Sequence, residues 1–208
     1  MTVQRHEQLE GTITTYDLLA SIFLTLPDES MVASITSGSF RENLGSAALS
    51  EIANYGRAQR ERPAEDVLLD LARDRVRLIR GVNMEGIEPP YESMYVGHQA
   101  NMSIGSLNNF YEQLGYIVGD DVKDAPDQLG VELAFAKLIL EQELHALNEC
   151  DIVRAAKFES LHQSFLDQHM GRWATAYAKK MVETASTGFY RGIGMLIGEV
   201  LPTPALVA

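Results

Sequence analysis

FLDQHMGRWATAYAKKM, residues 165–181, sets Phe165, His169, Trp173, Tyr177 and Met181 at strict four-residue steps. Side chains at that spacing share one face of an α-helix, so the stretch reads as a core stripe. Trp173 is expected to fill the interior of a helical bundle, with His169 donating a hydrogen bond there rather than holding a ligand. Helices are predicted over Ile152–His169 and Trp173–Ser186, and a last one near Thr187–Leu201 is ended by LPTP.

The same period runs back toward the N-terminus. A long helix carries Val131, Phe135, Leu138 and Ile139, then Leu144 or Leu147, with Asp124 as a plausible N-cap and Pro126 at an early helical position. Met102–Tyr116 places Leu107, Phe110, Tyr111 and Leu114 on one face. DVLLDLARDRVRLIRG follows Pro63 as a first-turn proline, sets Val67, Leu68, Leu71, Arg75, Leu78 and Ile79 along one side, and ends at Gly81. A run with Leu44, Ala47, Ala48, Ile52 and Tyr55 precedes it, SGS at 37–39 separates that run from a short helix over Glu29–Thr36, and Thr14–Leu26 forms the first helix before Pro27. No β-branched run alternates with period two, and no internal repeat or low-complexity tract interrupts the pattern. The expected fold is all-α, a single-domain bundle of about eight to ten helices spanning residues 1–208.

With 46% hydrophobic residues the chain has the means to build a core and is not a disordered one. Its formal net charge is −12, and residues 91–150 hold ten Asp or Glu against Lys123 and Lys137, a balance of −8. Such a field repels nucleic-acid phosphates and draws in cationic partners. The one cysteine, Cys150, can form no internal disulfide, which suits a reducing compartment. No basic, apolar leader opens the chain and no run nears the ~20 apolar residues that cross a bilayer, so the protein is read as cytoplasmic, without stable membrane insertion.

Catalytic machinery is not visible: there is no Walker loop, dinucleotide glycine fingerprint, nucleophile elbow or Cys/His zinc spacing. Glu132, Glu141, His145, Glu149, His162 and His169 are the one set from which a helical-bundle metalloprotein could be built. Di-metal bundles use Glu-x-x-His pairs three apart, whereas Glu141–His145 and His145–Glu149 are four apart, the spacing of helix-surface ion pairs. The set is therefore read as surface pairs, with no metal and no cofactor. Arg73, Arg75, Arg77 and Arg80 share their helix with Asp70 and Asp74, which reads as ion pairing along the helix rather than a nucleic-acid stripe.

EPPYESMYVG, residues 88–97, breaks the helical pattern. Pro89 and Pro90 force an extended backbone, while Tyr91 and Tyr95 offer amphipathic rings and Glu92 a negative charge. This elbow is read either as a peptide-docking surface or as a rigid packing turn.

EPPYESMY, then APDQLGVELAF, then FLDQHMGRW and a closing GFYRGIG form an ordered set covering about half the chain. It resembles the TorD/DmsD/NarJ family of redox-enzyme maturation chaperones, which shows a Pro-Pro-aromatic-Glu-Ser-x-Tyr elbow, a Pro-Asp-His-Leu-x-x-Glu-Leu segment and a Phe-Leu-x-x-His-Leu-x-x-Trp segment in this order. The resemblance implies a non-enzymatic cytoplasmic chaperone. It would bind the twin-arginine signal peptide, or the immature body, of the catalytic subunit of a molybdopterin oxidoreductase and hold it for cofactor insertion. An assembly factor of the NarJ type, serving a respiratory nitrate reductase without a cleaved signal, is the alternative. Carried over by motif, Pro90, Tyr91, Glu92, Ser93 and Tyr95, with Asp124, Pro126, Asp127, Gln128 and Glu132, would line the client groove. Glu92 and Asp127 are expected to meet the client's arginines as exposed charges. The family's His after Pro-Asp is Gln128 here, so no imidazole charge is available at that position. Met170 replaces the usual Leu at similar volume. Some relatives exchange helices, and the 119–130 loop is where such a hinge would lie, so a monomer and a helix-swapped homodimer are both compatible with the sequence.

Overall fold

A computed structural model describes residues 2–38, 45–81, 86–97, 100–117 and 125–201. Among these residues there are ten helices and one isolated β-bridge: α1 Thr2–Leu24, α2 Glu29–Thr36, α3 Ala47–Gln59, α4 Ala64–Ile79, α5 Glu92–Tyr95, α6 Ala100–Gln113, α7 Leu129–Asn148, α8 Ile152–Gln168, α9 Met170–Thr184 and α10 Gly188–Val200. The all-α expectation holds. The described residues divide into two compact units, one drawn from 2–24 and 91–173 and the other from 25–90 and 174–201.

In the first unit α7 packs on α1 and α8, and α5 on α6. Gly130 marks how closely α7 approaches α1, since a Cβ there would stand 2.9 Å from the Phe23 Cβ and 2.8 Å from the Leu24 Cγ. Lys137 of α7 donates to Asp17 of α1 at 2.7 Å. The aromatic interior is Tyr111, Phe135 and Phe165 in edge-on contact, with ring centroids 4.7 and 5.1 Å apart, a spacing that gains from the ring quadrupoles.

In the second unit α10 packs on α3 and α4, and α2 on α3 and α4. Small residues set these approaches: a Cβ on Gly56 would fall 2.1 Å from the Ile35 carbonyl oxygen, and one on Gly192 would fall 2.5 Å from Ile52 Cγ1. Glu199 caps α3 from across the interface, accepting from the Ala48 amide at 2.9 Å and the Ser46 hydroxyl at 2.6 Å. Gly81 ends α4 with φ +63, a conformation that costs a residue with a Cβ, and Pro89 Cδ would lie 2.9 Å from that Cβ.

The stripe of residues 165–181 is buried at every step. It is carried by two helices, because His169, at φ −129 and ψ −105, breaks the run between α8 and α9. The tight turn explains Gly171, where a Cβ would lie 2.6 Å from the Leu166 carbonyl oxygen.

Three sequence readings change. The first helix begins at Thr2, not Thr14, and stops at Leu24, leaving Leu26 72% exposed instead of in the core. The long helix starts at Leu129, and its cap is Gln128, whose side-chain oxygen accepts from the Gly130 and Val131 amides. Pro126 lies in the turn before it, and Asp124 is outside the described residues, as is all of the 119–130 loop up to that position. The far end of that stripe passes through Glu143 and Ala146 rather than Leu144 or Leu147.

Candidate functional site

The three family-like segments in the first unit come together through the backbone first. Tyr91 and Gln128 form an antiparallel bridge, the Glu92 amide donates to the Asp127 carbonyl at 2.9 Å, and the Ser93 amide donates to the Asp127 carboxylate at 3.0 Å. The extended part of the elbow thus ends at Tyr91, and ESMY closes into the single turn α5. Asp127 satisfies amides that a four-residue helix cannot satisfy itself. Tyr111 of α6 fastens the other segment from behind, its hydroxyl donating to the Pro126 carbonyl at 2.6 Å.

Under this clasp lies a sealed polar centre. Glu92, Asp127, Gln128, Glu132 and His169 are all buried. Glu92 accepts from His169 Nδ1 at 3.0 Å, and His169 Nε2 lies 3.2 Å from the Ser106 hydroxyl. Phe110 packs edge-on against the imidazole, with centroids 5.2 Å apart, and Phe165 is a second ring neighbour at 5.7 Å. His169 is therefore a hydrogen-bonded core histidine, as the stripe implied, and its partner is the elbow's carboxylate.

Glu132 is the unusual member. It is 0% exposed on α7, and burial pushes its carboxyl well above the usual range. The charges of Glu92 and Asp127 push the same way, and the indole of Trp173 opposes them. A neutral acid is the form this pocket favours. Trp173 also stacks on Tyr95 at 5.4 Å, joining the buried acid to the elbow's outer ring.

Of the residues carried over by resemblance, Tyr91, Ser93, Tyr95 and Pro126 are half-buried and Pro90 is buried. Glu92 and Asp127 are not the exposed charges expected of them. Each is consumed inside the fold, one by His169 and the other by the α5 amides. The surface-pair reading likewise separates. His145 and Glu149 do meet on the surface of α7 at 3.4 Å, and Glu141 meets Lys137 at 3.7 Å, but Glu132 and His169 lie in the interior. His162 is close to Tyr16, with ring centroids 5.9 Å apart, and burial with the Arg5 charge lowers its pKa to about 4. Among the described residues no three His, Cys, Asp or Glu side chains are grouped to hold a metal ion.

One surface residue escaped the sequence reading. Met94, the variable position of the elbow, is 56% exposed while Glu92 two residues earlier points inward. Its soft, unbranched side chain is suited to apolar peptide contacts, and only the one-turn helix, invisible in a proline-marked stretch, puts it outside.

Comparison with known families gives one match here: the model described as nitrate reductase delta subunit matches residues 40–179, which take in all three converging segments. No curated protein matches the chain.

Proposed function

The chain belongs to the nitrate reductase delta subunit family, whose members are molybdoenzyme maturation chaperones and not enzymes, and from that premise we propose that the elbow around α5 is the client's docking surface. The protein binds the N-terminal signal segment, or the immature body, of a molybdopterin oxidoreductase catalytic subunit in the cytoplasm and holds it for cofactor insertion. The family match favours a nitrate-reductase-like catalytic subunit over other clients of this class.

The observation that carries the reading is the convergence itself. Asp127 and His169 spend their hydrogen bonds on the elbow's backbone and on Glu92, and Gln128 is the bridge partner of Tyr91, so Tyr91, Met94 and Tyr95 are held before any client arrives. Groups ordered in advance lose little entropy on docking. Apolar residues of the signal segment lie against these side chains, and the acidic surface of the 91–150 region raises the association rate of its cationic end. Among the described residues no helix is long and apolar enough to cross a membrane.

The test is co-expression with a molybdoenzyme catalytic subunit and recovery of the pair. Tyr91→Ala with Met94→Ala is expected to weaken recovery while leaving the melting temperature within a few degrees of wild type. Retained recovery would remove the elbow from the interface, and failure of the native pair to associate would remove the client class.

A further inference from the structure

The second unit contains a cavity of about 870 Å³ between α3, α4 and the α9–α10 junction, lined by none of the residues carried over as the client groove. Its hydrogen-bonding groups are unevenly used. Asp74 is saturated, accepting from the Ser186 amide at 3.1 Å and from the Thr187 amide and hydroxyl at 2.8 Å each, with Arg77 at 3.3 Å. Asp70 accepts from Arg62 at 2.9 Å, and the Gln59 oxygen accepts from the same guanidinium at 2.7 Å. The acceptors of the lining are thus engaged.

The donors are not. The Tyr55 hydroxyl is buried with no hydrogen-bond partner, and burial, reinforced by Asp70, pushes it up to about 12, so it stays a neutral O–H. Arg73 is exposed and meets no carboxylate among the described residues. Three arginines against two aspartates make the lining cationic in a chain of net charge −12. Beside them α4 presents Leu69, 47% exposed, and Val76, 39% exposed, at four residues before and three after Arg73, on the same face. Unspent donors next to an apolar strip match a carboxylate carried among apolar side chains.

We propose that this cavity binds an acidic, apolar-flanked segment of the client polypeptide, with Arg73 and the Tyr55 hydroxyl receiving a carboxylate and Leu69 and Val76 its apolar neighbours. The inference rests on the reading that the client is a molybdoenzyme catalytic subunit, but it concerns a different surface and a segment of opposite charge to the signal.

The experiment uses the purified complex of the full chain with that subunit. Arg73→Glu is expected to lower affinity by about tenfold at low salt, the size of losing one charged hydrogen-bonded pair, and by much less at ~1 M salt, where the Debye length is about 3 Å. Tyr55→Phe is expected to lower it about threefold. Arg73→Lys is expected to bind nearly as wild type, and carbodiimide treatment should then couple the introduced amine to an Asp or Glu of the subunit next to Leu, Ile or Val. A complex that forms with unchanged affinity in Arg73→Glu and gives no such coupling overturns the inference and leaves the elbow reading intact. Displacement of the subunit by millimolar inorganic phosphate would make this a small-anion site and overturn it too. Absence of any complex overturns both readings.

Discussion

Asp74 in the second unit and Glu132 in the first are both carboxylates sealed from solvent, yet their surroundings are opposite. Asp74 is met by two backbone amides, a hydroxyl and a guanidinium, so the desolvation of its charge is repaid by directed donors. Glu132 is met by two further carboxylates and an indole, and burial dominates it. A carboxylate of the first kind is a brace that fixes where α10 begins relative to α4. One of the second kind is tolerated rather than needed by the fold, and it sits under the elbow where the family-like segments converge. The difference separates a unit built for rigidity from one that keeps unrelieved electrostatic tension beneath its docking surface.

The largest effect should come from removing the brace. Asp74→Ala leaves two amides, the Thr187 hydroxyl and Arg77 short of a partner, and is expected to cost about 3–5 kcal/mol in urea unfolding. A cost below about 1 kcal/mol would mean that water replaces the carboxylate and that the contrast with Glu132 is not real.

Next is Trp173→Phe, which keeps most of the ring's packing but withdraws the indole N–H, the neighbour that opposes the rise of the Glu132 pKa. We expect a loss of about 1–3 kcal/mol. The loss should grow with pH, because the indole is the neighbour that favours the ionised form.

Titration sharpens the comparison through two groups of opposite sign. His162 has a folded pKa of about 4, below its ordinary 6.5, so the folded state binds fewer protons than the unfolded chain between those values. Its contribution is present in full above about pH 6.5 and is lost as pH falls toward 4, a change of about 1–3 kcal/mol that His162→Gln should abolish. Glu132 runs the other way: its folded pKa is raised, so stability is highest below about pH 4.5 and declines as pH rises through the folded value. Glu132→Gln should therefore be the smallest change at acid pH, within about 1 kcal/mol of wild type, and should become stabilising as pH rises. A variant that loses stability at pH 8 would show that the charge is needed.

The stripes at 165–181 and along α4, α7 and α10 were legible because apolar residues at helical period report burial directly. The first half of α1 was not: among the described side chains from Gln4 to Thr15 only Leu9 is a buried apolar one, and most of the others are polar. The cap of α7 was misplaced because Asp124 and Pro126 have the commoner cap chemistry. What decided the outcome was a partner 34 residues away, Ser93, which draws Asp127 toward the elbow and leaves the capping to Gln128. Charge counting misled in the same region. Of the ten acidic residues in 91–150, Glu92, Asp127, Glu132 and Glu143 are buried, so the acidic surface is smaller than the −8 of the sequence. The motifs named the residues of the site, but only long-range contacts such as His169 to Glu92, 77 positions apart, separate those that face a client from those that hold the surface in place.

Hydrogen–deuterium exchange of the chain with and without the N-terminal peptide of a molybdoenzyme catalytic subunit tests the central claim most directly. Binding at the elbow predicts slowed exchange for the amides from Glu92 to Val96, together with unchanged exchange at Ser186 and Thr187, which Asp74 already holds. A bound peptide that leaves Glu92–Val96 unprotected, or that protects the Asp74 brace instead, would contradict it.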